Sequence, residues 1–300
     1  MQKMRLSWIK AEEQGKESLI SWVNNSGVIG MFAWIEITRP SVWVLSGFAV
    51  LVGALLGGIL PPFSLPFFAA IGAVMLITAG GNALNDYYDK EIDRVNKPER
   101  PIPSGRISDV EARLFGFALI VLGILFAAFT NVYMLAFALL NSIILVAYNA
   151  KIKRTVLGHP LDSWLAASTY LFGSLLTGGI TAAVWILFAM SFLSNLGREI
   201  VKGIEDLAGD RKARIKTLAM VLGEYAPHSS TALIVISVII SPIPYLLGAL
   251  SMYYLVLLVP SVLLWLYSAY LGFSHPRNAQ KLMKIAMFIG IFAFLAGLVK

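Results

Sequence analysis

The chain has 300 residues, of which 58% are hydrophobic and only 14% charged, and it contains no Cys. That excludes disulfides, thiolate catalysis and Cys-based zinc or iron–sulfur sites, and it sets the chain apart from soluble globular domains. The 24 Lys and Arg outnumber the 17 Asp and Glu, for a net charge of +7, and where these charges fall decides the topology.

The first forty residues lack the basic start, short apolar core and cleavage site of a signal peptide. Trp8, Ile9, Leu19, Ile20, Trp22 and Val23 alternate with Lys, Glu and Gln, a pattern that predicts a helix lying in the membrane interface. Residues 1–36 are therefore read as an N-terminal interfacial segment and 37–300 as a transmembrane domain. Several apolar stretches reach about twenty residues, enough to cross a hydrocarbon core of roughly 30 Å. Nine spans are predicted: Ser41–Leu60, Leu65–Leu84, Ala112–Thr130, Val132–Asn149, Ser163–Ile180, Ala182–Val201, Ser229–Ala249, Met252–Gly272 and Gln280–Val299. The fold class is an all-α polytopic membrane protein. Gly53-x-x-x-Gly57 fits either a close helix contact or ordinary packing, and in a chain with 25 Gly ordinary packing is the favoured reading.

The turns Pro61-Pro62, Asn131, Thr181 and Leu250-Ser251 carry no charge and share one side of the membrane. All 17 acidic residues, and every one of the 24 Lys and Arg except Lys300, fall on the other side when helix ends are included. The positive-inside bias makes that charged side cytoplasmic, with the N-terminus on it and the C-terminus opposite, in a cell membrane.

Two acidic clusters end long apolar runs on this side. The first places Asn85, Asp89 and Asp93 at four-residue steps, with Asp86 one position round; the second is Asp206-x-x-x-Asp210. On a helix, residues four apart share a face one turn apart. A single pair is no more than a solvated helix end, but two clusters of equal spacing at the same membrane face point to a cage of hard oxygen ligands suited to Mg²⁺. Carboxylates so placed repel an anionic substrate by several kcal/mol at intermediate dielectric. Two or more Mg²⁺ bridging Asn85, Asp86, Asp89, Asp93, Asp206 and Asp210 to a diphosphate resolve that conflict.

Basic residues flank both clusters. Lys97, Arg100 and Arg106 follow the first; Lys151 and Lys153 end the fourth span; Arg198 and Lys202 lie within the sixth, on the turns leading to Asp206. Many are membrane anchors, whereas Arg198 and Lys202 are the strongest candidates for diphosphate binding, with Arg39 a further one where the first span begins. The loop Arg100-Pro-Ile-Pro-Ser-Gly105 reads as a turn, or as a semi-rigid cap whose Arg100 and Arg106 reach phosphate. Tyr88 and Tyr148 sit beside the acidic cluster, either as interface tyrosines or as stabilisers of a developing cation. Ionisable groups gather at span ends, with no ion pair evident inside the spans. This suits a substrate with an anionic head and a greasy tail better than a transport path at mid-membrane.

Asn85-x-x-x-Asp89-x-x-x-Asp93, the Arg100–Gly105 loop and Asp206-x-x-x-Asp210, in this order, resemble the intramembrane UbiA-type prenyltransferase superfamily. The run Arg198–Asp210 is similar to that of archaeal digeranylgeranylglyceryl phosphate synthases. The resemblance implies nine helices around a central cavity and Mg²⁺-dependent transfer of a geranylgeranyl group from its diphosphate. The acceptor it implies is the glycerol hydroxyl of geranylgeranylglyceryl phosphate, in archaeal ether-lipid synthesis, with membrane lipids around the site and no obligate protein partner. It also implies that Asp89 and Asp93, with Asn85 and Asp86, hold one Mg²⁺ and that Asp206 and Asp210 hold another. Two positions depart from the family pattern: Gly203 stands where an acidic residue is expected, and Tyr148 is followed by Lys at three and five residues instead of four, which leaves Lys151 and Lys153 both as candidates. The competing readings are prenylation of an aromatic or tetrapyrrole acceptor and, outside enzymes, transport of an anionic lipid.

Overall fold

A computed structural model describes residues 28–58, 64–212 and 215–299. The predicted interfacial helix around Trp8–Val23 and the Pro61-Pro62 turn lie outside these described residues. Helix α1 (Val28–Thr38) is followed by α2 (Pro40–Leu56), α3 (Leu65–Asn96), α4 (Asp109–Ala127), α5 (Val132–Ala150), α6 (Gly158–Ser174) and α7 (Ala182–Lys212). Short α8 (Leu218–Leu222) precedes α9 (Ala226–Ile240), α10 (Ile243–Leu246), α11 (Met252–Leu271) and α12 (Pro276–Gly297). There is no strand among the described residues.

Each predicted span coincides with one helix except the seventh, which covers α9 and α10, and their lengths differ. Among the described residues, seven helices are long and apolar enough to cross a membrane, or eight when α1 and α2 are taken as one span bent by 50°. The helix of the fifth predicted span, α6, has 17 residues, short of the roughly 20 needed to cross unaided. The seventh predicted span is broken after Ile240, because Pro242 cannot donate to the helix ladder and starts α10. The predicted boundary at residue 36 falls inside α1.

Helices α2, α3, α5, α6, α7 and α12 pack in sequence around a central cavity, while α4 lies outside on α3, and α9 and α11 lie outside on α7 and α12. The contact between α2 and α6 is a backbone one. A Cβ on Gly53 would run into the Tyr170 carbonyl, and one on Gly57 would meet Ser174 Oγ at 2.8 Å. The Gly53-x-x-x-Gly57 pattern is thus a close helix contact, and the ordinary-packing reading is corrected.

At 1.5 Å per residue, the 32-residue α3 spans about 48 Å, well beyond the hydrocarbon core. Its last turns, rich in the helix formers Lys90, Glu91 and Arg94, carry the first acidic cluster out to the membrane surface before Pro98 prevents continuation. Helix α7, with 31 residues, carries the second cluster in the same way. After α3 the chain turns back through Arg100–Gly105, where Ile102 and Ile107 are buried against Ala33, Ile37, Ala83 and Ala112. Gly105 takes a left-handed φ of 75° there, open to glycine without a Cβ penalty. Ser108 and Glu111 then form a reciprocal capping box that starts α4.

Candidate active site

The site is built at the charged end of α3 and α7 and opens into the central cavity. The cavity holds about 370 Å³, in the range of small-molecule sites. Its deep part is lined by apolar side chains such as Leu45, Val74, Phe137 and Phe172, and its polar part by Asn85, Tyr148, Asn149 and Asp162. Four cations, Arg39, Arg198, Lys202 and Lys284, also line it. A smaller cavity of about 90 Å³ shares Tyr170, Asn195 and Ile291 as a wall with the first.

In the first cluster every carboxylate has a basic partner. Arg100 donates to Asp93 at 2.5 Å and to Asp86 at 3.2 Å, so one guanidinium joins two carboxylates two helical turns apart. Arg39 donates to Asp86 at 2.5 Å and to Asn85 Oδ1 at 3.1 Å. Asp89 pairs with Lys153 at 2.7 Å, and Arg154 lies 3.7 Å away. Burial pushes the Lys153 ammonium below its usual range, and the adjacent Asp89 charge pulls it back up. Asn85 donates to Asn149 at 2.9 Å, and Asn149 donates back to the Gly81 carbonyl at 3.1 Å, which ties α5 to α3 at this level.

Arg39 is the only non-glycine residue with a left-handed φ among the described residues, at 52°. Such a conformation costs about 1–2 kcal/mol. Pro40 disfavours helical geometry at the residue before it, so the bend between α1 and α2 falls at Arg39. The bend aims its guanidinium at α3, where the ion pair with the buried Asp86 offsets the cost.

The second cluster is not ion-paired among the described residues. Asp206 lies one turn beyond Lys202, within electrostatic reach of the Lys97 charge at the end of α3. Burial, and then the Asp206 charge one turn away, pushes the Asp210 carboxyl above the usual carboxylate range. Removing that repulsion is what a divalent cation between two carboxylates does. The donor set, carboxylate and amide oxygens, suits Mg²⁺.

Among the described residues, however, no three acidic or His side chains converge closely enough to hold a metal by themselves. The cage expected from the sequence is therefore not assembled from protein groups alone. Like charges do not approach one another without a cation between them, and Asp86, Asp89 and Asp93 turn instead to Arg39, Arg100 and Lys153.

The other predicted residues divide. Arg198 and Lys202 line the cavity, but both also pair with Glu199, at 2.8 and 2.9 Å, and Glu199 is only 2% exposed. An ion-paired triad thus lies at the end of the sixth predicted span, where no ion pair was expected. Tyr148 lines the cavity beside Asp162. Arg106 is not brought to it: it clasps Glu36 at 2.6 Å and the Glu99 carbonyl, fastening the loop to α1. Tyr88 stacks edge-on against Tyr87 and accepts from Arg154 through its carbonyl. Lys151 ends α5, exposed and outside the cavity lining, so Lys153 is the residue that reaches the acidic cluster. Gly203 also has a reason: a Cβ there would lie 2.7 Å from both His159 Cε1 and Ala219 Cβ.

Sequence reasoning missed Asp162, Glu199 and Lys284. Each is a charge in or next to an apolar run, and that costly placement was the available signal.

The chain matches the UbiA prenyltransferase family over residues 46–292. It is 38% identical over 273 residues to the digeranylgeranylglyceryl phosphate synthase of Methanopyrus kandleri, covering 89% of this chain and all of that one. A solved structure concerned with digeranylgeranylglyceryl phosphate synthase in membranes matches with a TM-score of 0.73 at 33% identity, over 90% of this chain and 99% of that one. The structure of a UbiA homologue from Archaeoglobus fulgidus bound to GPP and Mg²⁺ shares the fold, with a TM-score of 0.64 at 20% identity over 89% of this chain and all of that one. The chain belongs to the UbiA prenyltransferase family. It is a multi-pass membrane enzyme that transfers prenyl groups.

Proposed function

We propose that this enzyme transfers a geranylgeranyl group from geranylgeranyl diphosphate to the glycerol hydroxyl of geranylgeranylglyceryl phosphate. The observation that carries the reading is a single cavity with Arg39, Arg198, Lys202 and Lys284 at its polar end and apolar side chains in its depth. Two substrates with phosphate heads and polyprenyl tails match both ends. The names of the relatives at 38% and 37% identity support the same acceptor.

Asp89, Asp93, Asp86 and Asn85 would hold one Mg²⁺, and Asp206 and Asp210 another. Bound there, Mg²⁺ screens the carboxylates from the diphosphate and stabilises charge on the leaving group. Arg39, Arg100 and Lys153, which pair with the first cluster, stand beside the same anion and pass to its oxygens when the carboxylates are otherwise engaged. Arg198 and Lys202 are held by Glu199 with their charges facing the cavity, so little reorganisation is needed as the C–O bond breaks. Lys284, with no carboxylate in ion-pair range among the described residues, faces the acceptor's phosphate. Proximity in a closed cavity substitutes for a strong nucleophile. Tyr148 turns its ring toward the forming allylic cation. Arg106, Lys97 and Tyr88 shape the mouth without reaching the reacting atoms.

Nine spans complete this reading, with α6 held across the membrane by its neighbours and α1 continuing the interfacial segment of residues 1–36. The charged face is cytoplasmic. Purified protein incubated with both substrates and Mg²⁺ should yield the double-chain ether phosphate by mass spectrometry, and a chelator should abolish it. No product from folded protein would remove this reading.

A further inference from the structure

Asp162 is the one carboxylate among the residues that line the central cavity, facing four cations that a pair of anionic substrates needs for itself. It is not a counter-ion for them. Glu199 takes Arg198 at 2.8 Å and Lys202 at 2.9 Å, and Arg39 is taken by Asp86. Asp162 makes no ion pair among the described residues. Its neighbours are the Tyr148 hydroxyl from α5 and, at longer range, Arg198, Glu199 and Lys202 from α7. It stands on α6, whose backbone packs closely on α2 at Gly53 and Gly173. Asn85 of the first acidic cluster and Lys202, one turn from Asp206, line the same cavity. Tyr148 and Asp162 line that cavity together with these two residues.

We infer that Asp162 is the proton acceptor for the attacking glycerol hydroxyl, oriented by Tyr148. The inference rests on the glyceryl phosphate reading above. As the hydroxyl oxygen bonds to the first carbon of the prenyl group, the bond from that carbon to the diphosphate oxygen breaks and the diphosphate keeps the electron pair. The hydroxyl proton passes to an Asp162 carboxylate oxygen and leaves to water when product departs. A carboxylate here adds negative charge beside an anionic substrate, a cost that a proton-accepting role accounts for and a packing role does not.

The test compares wild type, Asp162→Asn and Asp162→Ala as full-length protein in detergent with Mg²⁺, geranylgeranyl diphosphate and geranylgeranylglyceryl phosphate. Asp162→Asn keeps the shape and should lose at least about 100-fold in ether formation, the low end for general base catalysis. Its affinity for geranylgeranyl diphosphate should stay within about threefold of wild type, as a general base makes no binding contact with that substrate. Formate should restore part of the rate to Asp162→Ala, which a purely structural role would not allow. An Asp162→Asn variant within about threefold of wild-type rate, or one that loses diphosphate binding together with activity, would overturn the assignment. Wild-type protein that forms no ether would instead overturn the acceptor reading and this inference with it.

Discussion

Among the described residues Asp86, Asp89 and Asp93 are each matched with a cation, while Asp206 and Asp210 are not, and this asymmetry sets what single substitutions do. Asp89→Ala and Asp206→Ala should each reduce prenyl transfer by more than about 100-fold with helix content unchanged by circular dichroism, since electrostatic stabilisation of the leaving group is at stake. Activity retained in either would remove that acidic cluster from the site. Arg198 carries two roles, because it faces the cavity and also pairs with the buried Glu199. Arg198→Met should therefore raise the KM for geranylgeranyl diphosphate and also lower stability by about 3 kcal/mol, as breaking one side of a buried pair does. A KM change without a shift in thermal unfolding would show that Lys202 alone satisfies Glu199. The spacing of the acidic residues could be read from sequence because it is local to one helix. Their pairing with Arg39 and Lys153 could not, because those partners are 47 and 64 positions away and meet only through the packing of α2 and α5 on α3.

At the level of elements, apolar runs and their polar breaks fixed nearly every helix, since burial in lipid leaves the backbone no alternative to helix. Two elements escaped. The break at Pro242 lay inside a continuous apolar run, and α6 is shorter and more polar than a lone span because α2 and α7 cover it. The contact that covers α6 depends on Gly53, where the backbones of α2 and α6 meet. Gly53→Leu should destabilise the protein by about 1–3 kcal/mol, the usual cost of overpacking, seen as a lower unfolding temperature in detergent. Gly179, with open space where a Cβ would point, is the matched control. Equal stability of Gly53→Leu and Gly179→Ala would mean that α2 and α6 are free to part.

For the whole molecule, the arrangement places charge and chemistry at one membrane face and leaves the other face nearly bare. With no Cys in the chain, single substitutions report topology without background. In intact cells an impermeant thiol reagent should label Gly179→Cys, on the uncharged side, and spare Ser104→Cys beside the acidic clusters. The reverse pattern would invert the orientation derived from the Lys and Arg bias. The cavity's cations and single carboxylate come from α6, α7 and α12 and the residue that precedes α2. The most direct measurement of what this cavity accepts is a competition in one vessel. Geranylgeranyl diphosphate and Mg²⁺ are supplied with equal amounts of geranylgeranylglyceryl phosphate and an aromatic acid, and the products are separated by mass. The ether phosphate should form almost alone; a prenylated aromatic acid as the main product would contradict the glyceryl phosphate acceptor.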